Sequence, residues 1–207
     1  MGKKLEGKKI AIVATDGFEQ VELTSPKEAL EREGAICAIV SPKEGKIKGW
    51  KHVEWGDELE VDVPLAQAKV GDYDALVLPG GVMSPDKLRV LPEMRKLVKS
   101  FFDAGKPVAA ICHGPWSLID AGVVEGRKLT SWPTLQTDLV NAGAEWVDEE
   151  VVVDDGLVTS RKPDDLPAFN AKMIEEIAEG LHGEARLSAR RSARAGDGQT
   201  QRTSAPR

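Results

Sequence analysis

Cysteine is scarce in this chain of 207 residues, which contains only Cys37 and Cys112. Two cysteines so far apart cannot form the dense disulfide framework that stabilises small secreted domains. They suit a reducing compartment, and a cytoplasmic protein is therefore expected. Cys37 lies inside the apolar stretch AICAIV (residues 35–40). It is predicted to be a core residue, because free cysteine is among the most buried residue types.

Long apolar runs are also missing. No segment approaches the roughly 20 apolar residues that a membrane-spanning helix needs, and the run IAIVA (residues 10–14) is too short for the core of a signal peptide. The chain has no excess of positive charge either, since its net charge is −6. Neutralising phosphates requires a basic surface. The sequence thus predicts neither a membrane nor a nucleic-acid partner for the domain.

Histidine is limited to His52, His113 and His182. No set of His, Cys, Asp and Glu has metal-ligand spacing within one element, so no metal ion and no cofactor are predicted. Glu184 follows His182 with the His–Glu spacing of glutamine-hydrolysing enzymes. That pair falls after the last predicted helix, so glutamine hydrolysis is not predicted. His52, in a polar insertion, is predicted to lie at the surface.

Residues 183–207 differ in composition from the rest of the chain. They contain six arginines, one leucine and no aromatic residue. Such a segment cannot bury enough apolar surface to offset the entropy lost on ordering, so a disordered Arg-rich C-terminal tail is predicted. It is interpreted as an extension without a specific role, the alternative being an arm that binds nucleic acid or a partner. Residues 1–182 are predicted to form one domain.

Strand and helix signals alternate before the tail. The predicted strands occupy residues 8–15, 35–41, 74–81 and 107–112, and the predicted helices 19–33, 92–105, 134–141 and 165–179. Repeated β–α units predict an α/β three-layer sandwich, with a mostly parallel, flavodoxin-like sheet and helices on both faces. Residues 45–70 break the rhythm and are interpreted as an insertion with short strands. The turn at Asp154–Gly156 predicts a hairpin.

Three predicted strands end in residues that are more typical of an active site than of the interior of a sheet. These segments are DGFE (16–19), PGG (79–81) and CHGP (112–115). Because ligands bind beyond the carboxyl ends of parallel strands, the three segments are expected to meet in one crevice. The form of CHGP is that of a nucleophile elbow, a sharp turn at the end of a central strand that exposes a nucleophile above the sheet.

The residue types at this elbow favour an activated thiol over a core cysteine. A helix N-terminus after the turn is expected to lower the pKa of Cys112. His113 offers a proton acceptor beside it. Gly80 and Gly81 leave backbone N–H groups open to a developing oxyanion, since no side chain blocks close approach.

Five motifs together resemble the PfpI family, a branch of the class I glutamine amidotransferase-like superfamily that includes intracellular proteases, general stress proteins and protein deglycases. The resemblance covers residues 8–178 and is carried by DGFEQVEL, ALVLPGGVMSPDKLR, AAICHGPW, NAGAEWVDEEVVVDDGLVTSR and RKPDDLPAF. It implies that Cys112 is the nucleophile and His113 its base. It also implies that Glu19 reaches the cysteine sulfur, and that the backbone N–H groups of Gly81 and His113 form the oxyanion hole.

One position departs from the protease members of that family. In the archaeal proteases a Glu after the proline of the Gly-Gly loop completes a triad across a subunit boundary, and Asp86 stands in that place here. Asp is one methylene shorter, which weakens the orientation of His113; an N-cap role for Asp86 is the alternative. The family habit implies a homodimer or higher homo-oligomer, with candidate contacts at residues 83–91 and at Trp50 and Trp55.

The resemblance implies three alternative functions. The preferred one is a stress-response enzyme acting on carbonyl adducts, with glyoxalase-type or protein-deglycase-type activity toward methylglyoxal or glyoxal adducts. The second is an intracellular cysteine peptidase, which must cleave an amide and so needs a well-oriented general acid. The third is a non-catalytic stress protein, either chaperone-like or a sensor whose thiol at Cys112 is oxidised.

Overall fold

The computed structural model describes residues 2–183 as alternating strands and helices. The strands are β1 (Lys9–Val13), β2 (Ile36–Ser41), β3 (Lys46–Lys51), β4 (Glu54–Glu60), β5 (Val63–Pro64), β6 (Ala75–Leu78), β7 (Val108–Ile111), β8 (Lys128–Leu129), β9 (Glu145–Trp146), β10 (Val151–Asp154) and β11 (Leu157–Ser160). The helices are α1 (Gln20–Arg32), α2 (Met83–Arg89), α3 (Pro92–Asp103), α4 (Trp116–Asp120), α5 (Gln136–Asn141) and α6 (Leu166–Glu179). Apart from Gly183, the predicted Arg-rich tail lies outside the described residues.

The main sheet has seven strands in the order β10-β11-β7-β6-β1-β2-β5. All neighbours are parallel except β10 and β11, which form the hairpin predicted at Asp154–Gly156. Taken in chain order, β2-β1-β6-β7-β11 is the 2-1-3-4-5 order of flavodoxin-like sheets. The predicted fold class is therefore confirmed, and strand order reverses between β1 and β6.

Helices cover both faces of this sheet because the side chains of each strand alternate. In β1, Ala11 and Val13 join one buried cluster with apolar side chains of α2, α3, α4 and α5. Ile10 and Ile12 point the opposite way and join a second cluster with α1 and α6. The two clusters are the two interfaces of a three-layer sandwich. No helix within residues 2–183 is long and apolar enough to cross a membrane.

Two small pairs of strands lie outside the main sheet. The predicted insertion at residues 45–70 contains the antiparallel hairpin β3–β4, and Trp50 on β3 forms a single bridge with Glu19 at the start of α1. Strands β8 and β9 pair only with each other. Residues 83–91, predicted as a contact loop, are mostly the helix α2. The hairpin and α2 thus flank the carboxyl ends of β1 and β6.

His182 marks the end of the packed structure among the described residues. Its side chain is buried, its backbone N–H donates to the carbonyl of Gly105 at 2.8 Å, and its ring nitrogen Nε2 lies 3.5 Å from Oε2 of Glu176. These contacts pack His182 against α6 and the turn before β7. They lie at the opposite end of the sheet from the carboxyl ends of β6 and β7.

Candidate active site

The three predicted strand ends meet where the strand order reverses. Strands β1, β6 and β7 are consecutive neighbours in the sheet, so the segments that follow them share one edge. The backbone N–H of Glu19, after β1, donates to the carbonyl of Gly80, after β6, at 3.1 Å. A Cβ placed on Gly80 would lie only 2.5 Å from Cβ of Cys112, after β7. The crevice expected from the sequence is therefore formed by these segments.

Cys112 occupies a strained backbone turn. Its φ of 61° is in the left-handed region, which costs a non-glycine residue roughly 1–2 kcal/mol. Two hydrogen bonds hold it there: its N–H donates to the carbonyl of Ser160, and its own carbonyl accepts from the N–H of Trp132, both at 3.0 Å. Gly114 completes the turn, because a Cβ at that position would collide with the carbonyl oxygen of Leu78. This is the geometry of the predicted nucleophile elbow.

The thiol of Cys112 has the predicted histidine beside it. Sγ lies 3.2 Å from Nδ1 of His113, and both residues are buried. Burial lowers the pKa of His113 to about 4, so the imidazole is neutral at physiological pH and able to accept a proton. The backbone N–H groups of Gly81 and His113 also donate to the sulfur. The structure thus brings Cys112, His113 and Gly81 together.

The structure places the carboxyl of Glu22 beside Cys112, whereas the predicted Glu19 faces the backbone of His52. Glu22 is fully buried, and it lies close to Cys112, because a Cβ on Gly80 would be 2.5 Å from both Oε2 of Glu22 and Cβ of Cys112. Its Oε2 accepts from the N–H of Gly80 at 3.0 Å. Burial, together with the negative charge of Glu19, raises the pKa of Glu22 to about 8. At neutral pH this carboxyl is therefore mostly protonated and able to donate to the sulfur or to a reacting oxygen.

Glu19 points elsewhere because it precedes the helix. It is the N-cap residue of α1, with extended backbone angles, and its backbone is fixed by Gly80 and by the bridge to Trp50. Its half-buried carboxylate accepts a hydrogen bond from the backbone of His52, on the β3–β4 hairpin. Glu22, which lies nearly one helical turn farther on, is the residue turned toward β7.

The resting thiol is not a low-pKa thiol. Burial raises the pKa of Cys112, and Glu22 raises it further whenever its carboxyl is ionised, while the backbone N–H groups of Gly81 and His113 act in the opposite direction. The expected effect of a helix N-terminus is weak because α4 begins only at Trp116 and has five residues. The sulfur is consequently protonated at rest, and the neutral imidazole of His113 lies within reach of its proton.

Asp86 does not contact His113 within the same chain. It lies in α2 and is exposed, and Val82 rather than Asp86 is the N-cap residue. No hydrogen bond or ion pair involving the Asp86 carboxylate occurs among residues 2–183. The described chain therefore does not assemble the Cys–His–acid triad. Any carboxylate that hydrogen-bonds to His113 would have to come from outside residues 2–183, for example from another copy.

The aromatic surroundings of His113 are not evident from the sequence. The ring of Trp116 lies edge-on to the imidazole, with centroids 5.0 Å apart, and the ring of Trp132 is nearly parallel to it, at 6.2 Å. Trp116 follows the elbow directly, at the end of the segment AAICHGPW. Trp132 follows Ser131 after β8, and nothing in its local sequence indicates contact with residue 113.

The remaining candidate residues are accounted for by structure. Cys37 is half-buried on β2 beside the core, and burial raises its pKa to about 12. His52 is exposed on the hairpin with a φ of 58°, as predicted for a surface residue. Within residues 2–183 no group of three or more His, Cys, Asp or Glu side chains is placed to hold a metal ion.

The fold and the site together define a class of α/β proteins built for thiol chemistry. They combine a flavodoxin-like sandwich with a cysteine at a strand-to-helix elbow, a histidine next in sequence and a buried glutamate at the sulfur. Residues 8–176 match the model of the DJ-1/PfpI family. The chain belongs to this family, which confirms the resemblance found in the sequence.

Individual relatives agree with this assignment. A Bacillus subtilis protein named "Putative cysteine protease YraA" is 42% identical over 167 residues, covering 81% of this chain and 96% of that protein. A protein of Pyrococcus abyssi named as a deglycase is 43% identical over 167 residues, covering 81% and 98%. The crystal structure of Drosophila melanogaster DJ-1beta is 30% identical with a TM-score of 0.76, covering 83% and 91%. Relatives of this chain thus carry both enzyme names.

Proposed function

We propose that this protein is a cysteine-dependent enzyme acting on small carbonyl compounds or carbonyl adducts, such as methylglyoxal, glyoxal and the adducts they form with proteins. The observation that carries the proposal is the 3.2 Å approach of neutral His113 Nδ1 to the Cys112 sulfur, next to the protonated carboxyl of Glu22. These three groups supply a nucleophile, a base and an acid at one point.

The first step is addition of the thiol to an aldehyde carbon. As the Sγ–C bond forms, the thiol proton passes to Nδ1 of His113, and the carbonyl electron pair moves to oxygen. The backbone N–H groups of Gly81 and His113, together with the Glu22 carboxyl, are the donors available to the developing alkoxide. The product is a hemithioacetal bound to Cys112, and no leaving group is needed to reach it.

For methylglyoxal the remaining steps are a proton shift and a hydrolysis. The hydrogen on the thiol-bearing carbon leaves as a proton, and a proton returns to the neighbouring carbon, which converts the hemithioacetal into a lactate thioester. Glu22, which gives a proton to oxygen and can take one from carbon, is placed for this exchange. Water then cleaves the C–S bond, releasing lactate and the thiol. Methylglyoxal and water are consumed, lactate is formed, and no external oxidant or reductant is needed.

The test is lactate formation from methylglyoxal by the wild-type protein, Cys112→Ala and Cys37→Ala. We expect Cys112→Ala to lose lactate formation completely and to keep its circular dichroism spectrum. Cys37→Ala is the matched control, because it removes the other thiol, far from His113, and should retain activity within about twofold. Equal lactate production by wild type and Cys112→Ala would refute the proposal.

A cysteine peptidase is the second candidate, supported by the name of the Bacillus subtilis relative. Amide cleavage requires His113 to return its proton to a poor leaving group, and a partner's Asp86 is the group that would orient it for this. Under this alternative we propose a homo-oligomer whose α2 helices approach the partner's site. A fluorogenic peptide cleaved by wild type but not by Cys112→Ala, without lactate formation, would favour this function.

Two unpaired cysteines support the proposed cytoplasmic location.

A further inference from the structure

The imidazole of His113 contacts two indole rings. Trp116 meets it in an edge-to-face arrangement with an angle of 64° between the planes, and Trp132 meets it at 24°. Both centroid separations, 5.0 and 6.2 Å, are within the range of attractive aromatic pairs. The two rings restrict rotation of the imidazole about its side-chain bonds and cover it from water.

Trp116 is itself held in place. Its indole Nε1 donates to Oδ2 of Asp138 on α5 at 3.0 Å. The guanidinium carbon of Arg89 lies 5.1 Å from the centroid of the indole, which is within cation–π range. Arg89 is fixed in turn by Asp120, with Nε donating to Oδ2 at 2.6 Å. Helices α2, α4 and α5 therefore all contribute to the position of one ring.

Trp132 is fixed mainly through its backbone. Its N–H donates to the carbonyl of Cys112 at 3.0 Å, which ties it to the same turn that carries the thiol. Its carbonyl accepts from Oγ of Ser131 at 2.9 Å, and that hydroxyl accepts from the indole of Trp146 at 3.0 Å. The Trp132 side chain remains 36% exposed, so it can be shortened without opening the core.

We propose that Trp116 and Trp132 are positioning residues that hold the His113 imidazole with Nδ1 toward the Cys112 sulfur. This inference rests on the proposed use of His113 as the base. Within residues 2–183 no carboxylate hydrogen-bonds to the imidazole. The two indoles thus do the orienting that an acidic residue does in a Cys–His–Asp arrangement, and they do it within one chain.

Within residues 2–183, the ionisable groups around His113 come from the elbow itself and from α1, α2 and α5. The Cys112 thiol faces it directly, and Glu22 of α1 interacts with that thiol. Arg89 of α2 and Asp138 of α5 lie behind Trp116. Burial alone lowers the pKa of His113 to about 4 from an ordinary value of 6.5. Removing a covering indole admits water, which should move the pKa back toward 6.5.

The experiment is an NMR titration of the histidine rings, because the chain has only three histidines and two of them, His52 and His182, serve as internal references. In the wild type we expect His113 to stay neutral down to about pH 5. In Trp132→Ala its pKa should rise to above about 5.5, while the references do not move. Trp132→Phe, which keeps an aromatic face, should restore most of the wild-type value.

A second measurement reports position rather than protonation. The rate of alkylation of Cys112 by iodoacetamide at neutral pH should fall about tenfold in Trp132→Ala, since a displaced base no longer takes the thiol proton. Trp116→Leu should behave similarly, and Trp132→Phe should remain within about threefold of the wild type. Trp132→Leu replaces Trp132→Ala if the latter fails to fold.

An unchanged His113 titration together with an unchanged alkylation rate in Trp132→Ala would overturn the proposal. Neither measurement depends on methylglyoxal. If lactate formation fails while both predicted changes occur, the assignment of the two tryptophans holds and only the proposed substrate is wrong.

Discussion

The carboxyl of Glu22 accepts a 3.0 Å hydrogen bond from the backbone N–H of Gly80, and this bond joins the first turn of α1 to the loop after β6. The loop is pressed against the site, since a Cβ on Gly80 would lie 2.5 Å from both Oε2 of Glu22 and Cβ of Cys112. Three consecutive strands of the sheet therefore fix the acid relative to the sulfur, and the acid requires glycine at position 80.

Glu22→Gln should reduce lactate formation about 100-fold, the lower end of what a lost general acid–base costs. The glutamine amide has a similar shape but cannot exchange a proton with the substrate. Glu19→Gln is the matched control, because the Glu19 carboxylate faces the backbone of His52, and it should stay within about twofold. A larger loss in Glu19→Gln than in Glu22→Gln would return the catalytic role to Glu19.

The same substitution should change the pH dependence of stability. Glu22 holds its proton up to about pH 8 in the folded protein but only to about 4.5 when unfolded, so the folded state binds more protons in between. Its contribution to stability is complete below the unfolded pKa and is lost as pH rises through about 8. Because glutamine does not titrate, the Glu22→Gln variant should not lose this stability as the pH rises.

The measurement is the free energy of unfolding in urea at about pH 6 and about pH 8.5. Relative to wild type, Glu22→Gln should gain stability between these values, by on the order of a few kcal/mol. Parallel pH profiles of the two proteins would show that Glu22 is not protonated in the folded state at neutral pH.

Gly114→Ala should destabilise the domain by about 2–4 kcal/mol, because its Cβ would collide with the carbonyl oxygen of Leu78 and lie 3.0 Å from that of Ile111. The melting temperature should fall accordingly. Gly71→Ala is the control, since Gly71 has open space around its Cα, and it should change stability by less than about 1 kcal/mol. Equal melting temperatures for the two variants would contradict the tight packing of the elbow.

Asp86→Asn should separate the two proposed activities. Because Asp86 does not reach His113 in its own chain and carbonyl addition has no leaving group, lactate formation should change less than about threefold. Any cleavage of a fluorogenic peptide should fall at least about tenfold, since it relies on an oriented imidazolium. Loss of lactate formation, in a protein shown by sedimentation to be a dimer, would place Asp86 of the partner in the carbonyl site.

The parts of this molecule that depend on local sequence were predictable. Apolar runs gave β1, β6 and β7, and CHGP gave the elbow with Cys112 and His113. The choice between Glu19 and Glu22 depends on the phase of α1, which is set by where the helix begins. A signal was present: Glu22 falls among the buried positions of α1, with Leu23 and Pro26, where an unpaired charge is costly.

Other features depend on contacts between distant segments. The nearly parallel arrangement of Trp132 and His113 brings together segments that follow β8 and β7, and the local sequence of β8 does not specify this contact. The pKa of Cys112 is raised by its burial and by Glu22, whereas the elbow motif alone predicted a lowered pKa. Both follow only from the packed structure.

The two backbone partners of Cys112 have a consequence for how the protein is made. Cys112, His113 and Glu22 are all encoded before residue 114, whereas Ser160 and Trp132, which hold the amide and carbonyl of Cys112, come later in the chain. Synthesis proceeds from the N-terminus at about 5–20 residues per second. The chemical groups therefore leave the ribosome seconds before the segments that constrain them, and a truncated product would carry the reactive residues without the turn that presents them.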